Sequence, residues 1–177
     1  MLRRFGLTAV FVLLSSGPAL AGSGFYLGVH GGSSGIDVRL GDGRVRLESK
    51  DFAWKGLAGI GLGRFIAVET GYVRFGTAQD TVAGVTIEQS LWGWDTAGLL
   101  KINIGPLDIY GRFGGIYWKA EAGIGPVAVN SDGFDVNYGG GLGVVLGKLE
   151  IRGEMVWYDA SSIGDPWMAS LGLTLGF

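Results

Sequence analysis

The 177-residue chain has no cysteine, a single histidine and, past its N-terminus, no apolar run long enough to cross a bilayer as a helix. Without cysteine there are no disulfides and no thiolate metal sites, so stability has to come from backbone hydrogen bonding and packing. Charge is also scarce. Asp, Glu, Lys and Arg make up 17% of the chain, with 14 basic residues against 16 acidic ones. That balance lacks the basic face of a nucleic-acid binder, so no nucleic-acid partner is expected. With no spanning helix, residence in a membrane would require a closed barrel.

What the chain does have is glycine, at 35 positions, in a composition that is 47% hydrophobic. Glycine at that density disfavours long helices, and the apolar content is too high for disorder. Together they point to an all-β protein with close backbone approaches. The length allows one domain with a full core.

The N-terminus reads as an export signal. MLRR is a short basic stretch, FGLTAVFVLL is an apolar segment of ten residues, and SSGPALA ends in the small-x-small site Ala19-Leu20-Ala21. Cleavage is expected after Ala21, giving a signal over 1–21 and a barrel domain over 22–177. Losing Arg3 and Arg4 leaves the exported chain acidic by four charges.

Apolar residues then alternate with others about eight times. GFYLGVHGG sets Phe25, Leu27 and Val29 against Tyr26, Gly28 and His30. FAWKGLAGIGL sets Phe52, Trp54, Ala58 and Ile60 against Lys55, Leu57 and Gly59. FIAVETGYV, LWGWDTAGLLKIN, LDIYGRFGGIYW, FDVNYGGGLGVVL and LEIRGEMVWY repeat the pattern, and MASLGLTLGF closes it. Segments of about ten residues exceed the usual strand and match a tilted bilayer crossing.

Connections alternate in length. Short turns are expected at Gly61 to Arg64, Ile104 to Pro106 and Gly147-Lys148, and longer loops near Ser33 to Asp51, Gly76 to Glu88, Lys119 to Gly133 and Asp159 to Pro166. Short turns on one rim and long loops on the other predict an eight-stranded antiparallel up-and-down transmembrane β-barrel, with both chain ends on the short-turn side.

Volume decides which face points inward. A soluble lipocalin-like barrel would enclose the apolar face, which carries Trp54, Tyr72, Trp92, Trp94, Phe113, Tyr117, Tyr138, Trp157 and Trp167. An eight-stranded lumen has no room for so many rings. The aromatics therefore belong outside, as interface girdles. The opposite face, mostly glycine and other small residues with a few charges, suits a narrow lumen. Its charges can pair there: Lys101 opposite Asp108, Arg112 diagonal to Asp95, Lys55 diagonal to Glu69, and Glu150, Arg152 and Glu154 as a charge-balanced ladder.

This layout resembles the OmpA-like family of small eight-stranded outer-membrane β-barrels of Gram-negative bacteria. The resemblance rests on GFYLGVHGG, AVETGYVRFG, DIYGRFGGIYW, YGGGLGVVLGKLEIRGEMVWYD and the closing LGLTLGF, in that order. It implies residence in the outer membrane after secretory export, among outer-membrane lipid and lipopolysaccharide. It also implies that Leu171, Leu173, Leu175 and Phe177 are the signal read by the barrel-assembly machinery. Many relatives carry a peptidoglycan-binding domain after the barrel. None follows Phe177 in this sequence, so no cell-wall tether is expected.

Chemistry is sparse. No catalytic residue, cofactor or metal site is expected: His30 reads as a hydrogen-bonding residue near the long-loop rim, and the loop acids Asp132 and Asp165 read as turn formers. Some outer-membrane barrels modify lipid A, and the deacylases among them carry a His-Ser pair late in the chain. Nothing similar lies between Phe134 and Phe177. The segment DVRLGDGRVRLESKD reads as a hairpin around GDG, where Arg39, Arg44, Arg46 and Lys50 could meet lipopolysaccharide phosphates or another macromolecule. The expected function is a non-enzymatic structural and surface-interaction scaffold with a largely plugged lumen and long extracellular loops. The alternatives are a narrow porin-like channel and, behind it, a lipid-modifying enzyme.

Overall fold

The computed structural model describes residues 24–37, 39–40, 43–44, 51–82, 85–124, 127–159 and 165–177, with side chains for 24–35, 51–76, 90–121, 130–159 and 166–177. The expected signal over 1–21 lies outside these. Among the described residues the strands are β1 (Gly24–Asp37), β2 (Arg39–Leu40), β3 (Gly43–Arg44), β4 (Asp51–Gly61), β5 (Ile66–Val82), β6 (Val85–Ile104), β7 (Leu107–Ile124), β8 (Val127–Leu146), β9 (Leu149–Asp159) and β10 (Asp165–Gly176). β1 and β4 to β10 form one closed antiparallel barrel in which β1 completes the ring against β10. The eight-stranded up-and-down barrel read from the sequence is therefore the fold. β2 and β3 pair separately, Arg39 opposite Arg44 and Leu40 opposite Gly43, at the hairpin expected around GDG.

Glycine sets the tight rim. Gly63, Gly105 and Gly147 have φ of 90°, 62° and 67°, and each sits in one of the three short connections. A left-handed residue there matches the strand twist, and glycine adopts it without a Cβ penalty. Both ends of the described barrel lie on this rim, where the Phe177 amide donates to the Phe25 carbonyl at 2.9 Å.

The other rim corrects the sequence reading. Gly76 to Glu88 and Lys119 to Gly133, expected as loops, are mostly strand. β5 and β6 stay paired from Thr77 opposite Ser90 to Val82 opposite Val85, and β7 and β8 run on to Ile124 opposite Val127. Thr77, Thr81, Val82, Val85, Thr86 and Ile87 are β-branched, and a continued ladder satisfies backbone groups that a loop would leave to water. The long strands β5 to β8 thus project past the shorter β4, β9 and β10. A bulge at Phe75-Gly76, with Gly76 at φ 93°, interrupts the register between Arg74 and Thr77.

The wall is inverted relative to a soluble protein. Phe113 on its outside is 67% exposed, whereas Arg152 on its inside is 0% exposed. A lipocalin-like arrangement is excluded by that inversion. Glycine also makes the inside fit. Tyr26 faces Gly59 across the β1–β4 ladder, Tyr110 faces Gly141, and His30 faces Gly172. In each case a Cβ on the glycine would run into the opposing side chain. Gly59→Val is expected to lower the urea midpoint of the folded barrel, at about 1–3 kcal/mol for overpacking. Gly98→Ala, whose new methyl group would meet nothing nearer than 3.9 Å, is expected to leave it unchanged. Tryptophan fluorescence during urea titration in lipid distinguishes the two.

Candidate functional site

The inner face divides into two layers. Nearest the short turns, the Lys101 ammonium bonds the Asp108 carboxylate at 2.6 Å, and Asn103 donates to the same carboxylate. Above them Arg152 is held by Glu69 and, at 3.0 Å, by Glu150. Its guanidinium lies 4.8 Å from the Tyr110 ring centroid and 5.7 Å from that of Tyr26, whose hydroxyl donates to Glu69 at 2.9 Å. Next comes Glu154, which accepts from Lys55, from Arg112 at 3.0 Å and from the Tyr110 hydroxyl at 3.0 Å. Arg112 also donates from Nη2 to both oxygens of Asp95 at 2.7 and 2.8 Å. Asp95 receives further bonds from Asn137 at 3.2 Å and Tyr158 at 3.4 Å.

Burial without a partner would be very costly for each of these ions, and mutual bonding offsets that cost. Arg112 directs Nη2 to Asp95 and Nη1 to Glu154, which adds direction to charge. The network ties β4, β5, β6, β7, β8 and β9 together through their side chains as well as their backbones.

Toward the long-strand rim the lumen becomes apolar. Ala53, Val73, Phe75, Leu91, Ile116, Trp118, Ala120, Val156, Tyr158 and Met168 form one buried cluster. Phe75 and Tyr158 meet edge to face with centroids 4.9 Å apart, and the Trp118 indole donates to Asp135 at 2.5 Å. The bulge beside Gly76 adjoins this layer at Phe75. Tyr158 belongs to both layers, with its ring in the apolar cluster and its hydroxyl on Asp95.

The outer face is graded along the strands. Moving from the short turns across β5, β6 and β7, its rows are Ile66, Leu100 and Gly111, then Val68, Gly98 and Phe113, then Thr70, Thr96 and Gly115. Tyr72, Trp94 and Tyr117 come next, followed by Arg74, Trp92 and Lys119. Trp54, Tyr138, Trp157 and Trp167 extend the aromatic band around the wall. Tyr72 packs on Trp54, Trp92 and Trp94 at 5.6, 5.7 and 5.7 Å, and Tyr138 stacks on Trp157 at 6.0 Å. Leu171, Leu173 and Leu175 also point outward, and Phe177 stacks on Phe25 at 6.0 Å.

The structure brings Lys101 to Asp108 and Arg112 to Asp95, though not in the expected register: Lys101 lies opposite Tyr110 and Asp95 opposite Ile116, four residues from Arg112. It does not bring Lys55 to Glu69. Their register partners are Val73 and Gly59, and each side chain reaches across the lumen, Lys55 to Glu154 and Glu69 to Arg152. In the expected ladder, Arg152 bonds Glu150 but Glu154 turns to Lys55 and Arg112. His30 is not at the rim. It lies beside Lys55 in mid-wall, 3% exposed, with Nδ1 3.5 Å from Ser170 Oγ. The inner face also holds large apolar side chains, Phe75, Leu91, Trp118 and Met168, which a lumen of small residues did not anticipate. Their inward parity was the available signal. The side chains of Arg39, Arg44, Arg46 and Lys50 lie outside the described residues.

Arg152 holds two carboxylates, whereas Glu154 keeps Arg112 and Tyr110 if Lys55 is removed. Arg152→Met is therefore expected to destabilise the barrel by about 3–5 kcal/mol, and Lys55→Met by clearly less. Urea midpoints of the two refolded variants check that order.

Comparison with known proteins places this geometry. No curated protein matches the chain. Neisserial surface protein A superposes with a TM-score of 0.70 at 13% identity, over 88% of this chain and 98% of that one. The attachment invasion locus protein Ail of Yersinia pestis superposes at 0.59 and 15% identity, over 89% and 100%. The N-terminal barrel of Pseudomonas aeruginosa OprF gives 0.58 and 14%, over 86% and 97%. At such identities the likeness is one of fold. The family itself is shown by sequence, because the OmpA-like transmembrane domain matches residues 21–144. This chain, an outer-membrane β-barrel, therefore belongs to the OmpA-like transmembrane domain family.

Proposed function

We propose that the protein is a non-catalytic structural and surface-interaction barrel whose lumen is closed and whose contacts are made beyond the aromatic band. The observation that carries this reading is the layered lumen: ions bonded to one another below and a packed apolar cluster above. A path for ions would have to cross both. The neighbours' descriptions as a surface protein and an attachment invasion locus protein fit a surface role.

Lipopolysaccharide, a surface partner and the barrel-assembly machinery are the proposed contacts. Outward-facing Leu171, Leu173 and Leu175 would serve the last of these, and the β2–β3 hairpin with Arg39, Arg44, Arg46 and Lys50 would serve the first two. We read 1–21 as a signal removed on export to the outer membrane of a Gram-negative bacterium.

One observation favours the narrow-channel reading. His30 Nε2, Glu69 Oε2, Arg112 Nε, Asn137 Oδ1 and Thr174 Oγ1 are buried without protein partners, as atoms facing water inside a lumen would be. The lipid-modifying reading has only the His30–Ser170 approach, and no acid orients the ring through Nε2. Planar-bilayer recording separates closed barrel from channel. The refolded protein is expected to be silent; reproducible openings of the unaltered barrel would establish the channel instead.

A further inference from the structure

We infer that Arg74 and Lys119, on either side of Trp92 on the outer wall, bind the phosphate of a glycolipid headgroup packed against the barrel. This deepens the proposed contact with outer-membrane lipid and rests on the barrel's place in the membrane. It uses residues on the wall rather than the β2–β3 hairpin.

Three observations carry it. First, the two cations sit in one row. Arg74 pairs directly with Trp92 and Trp92 with Lys119, on three adjacent strands. Strands in a sheet lie about 4.8 Å apart, so the two backbones are about 10 Å apart and both long side chains can converge on one group above the indole. The Lys119 ammonium already lies 5.5 Å from the Trp92 ring centroid.

Second, the row stands at a chemical boundary. The row one step nearer the short turns is Tyr72, Trp94 and Tyr117, and below it the wall is apolar down to Ile104 and Leu107 apart from Thr70 and Thr96. Aromatic bands of this kind mark the headgroup level of a membrane. Cations one step beyond are at the depth of lipid phosphates, with their stems lying along apolar wall.

Third, among the described residues neither cation forms an ion pair. Asp132, opposite Lys119 in register, accepts the Tyr117 hydroxyl at 2.8 Å, and Glu121 lies one step further out. Two exposed cations flanking Trp92, one of them over its ring and neither in an ion pair among the described residues, complement a phosphate by charge and by donor count.

The test uses the whole barrel, refolded into phosphatidylcholine vesicles containing either bis-phosphorylated lipid A or the same lipid stripped of phosphate. Folding is verified first by heat-dependent gel mobility. A barrel that does not fold into lipid would refute the membrane reading beneath the proposal, separately from the site itself. After mild detergent extraction, co-purifying lipid is measured by mass spectrometry. The folded protein is expected to retain at least tenfold more of the phosphorylated form. Arg74→Gln/Lys119→Gln should reduce retention to the dephosphorylated level, and Arg74→Lys should preserve most of it. Equal retention of both lipids by the unaltered barrel would overturn the proposal without recourse to any variant. So would full retention by the double variant, or binding of a soluble polyanion without any lipid.

Discussion

Closure of β1 against β10 is the constraint on which the rest of the structure depends. In lipid a backbone group has only other backbone groups to bond, and a ring of strands is the sheet that leaves none at an edge. The ladder from Tyr26 opposite Gly176 to Asp37 opposite Asp165 completes that ring. Once it is closed with eight strands, lumen volume is set, and every inward side chain must fit a fixed cross-section. Glycine opposite a bulky residue is one way this chain meets that limit: Gly59 admits Tyr26, Gly141 admits Tyr110 and Gly172 admits His30. The abundance of glycine that excluded helices has a second role, making space for the tyrosines that bind Glu69 and Glu154.

Much of the fold was legible because its signals are local. Period-two alternation identified the faces, and the three short turns coincide with Gly63, Gly105 and Gly147. The candidate site was legible only where partners are neighbours. Lys101 and Asp108 flank one hairpin, and Arg112 and Asp95 share the β6–β7 ladder. Lys55 and Glu154 are on strands that do not adjoin, β4 and β9. Their meeting depends on the stagger of the whole barrel, which pairwise register does not encode. The extended hairpins were hidden for another reason. Gly76 reads as a loop start, yet it serves as the positive-φ residue of a bulge after which pairing resumes. Phe75 and Trp118 had inward parity, but a lumen judged by its glycines left no place for them.

The two lumen layers support each other physically. Ion pairs in a water-poor space attract strongly but have lost much hydration, so they hold only where each charge keeps several partners. Asp95 accepts from Arg112, Asn137 and Tyr158, and Glu154 accepts from Lys55, Arg112 and Tyr110. The apolar cluster lies over the Asp95 end of this network and limits the competition of water from the long-strand side. Tyr158 joins the two, because its ring must pack against Phe75 for its hydroxyl to reach Asp95. A disturbance at the rim would therefore be felt among the ions.

Packing inside has a consequence outside. Alternation fixes each outward side chain by its inward neighbours: Arg74 lies between Val73 and Phe75, and Lys119 between Trp118 and Ala120, all four of which belong to the packed cluster. Arg74 and Lys119 are thus mounted on the buried apolar cluster, at the base of the projecting part of β5 to β8. A lipid headgroup held there would touch a surface that does not rearrange on binding, so little ordering cost would offset its charge-assisted bonds.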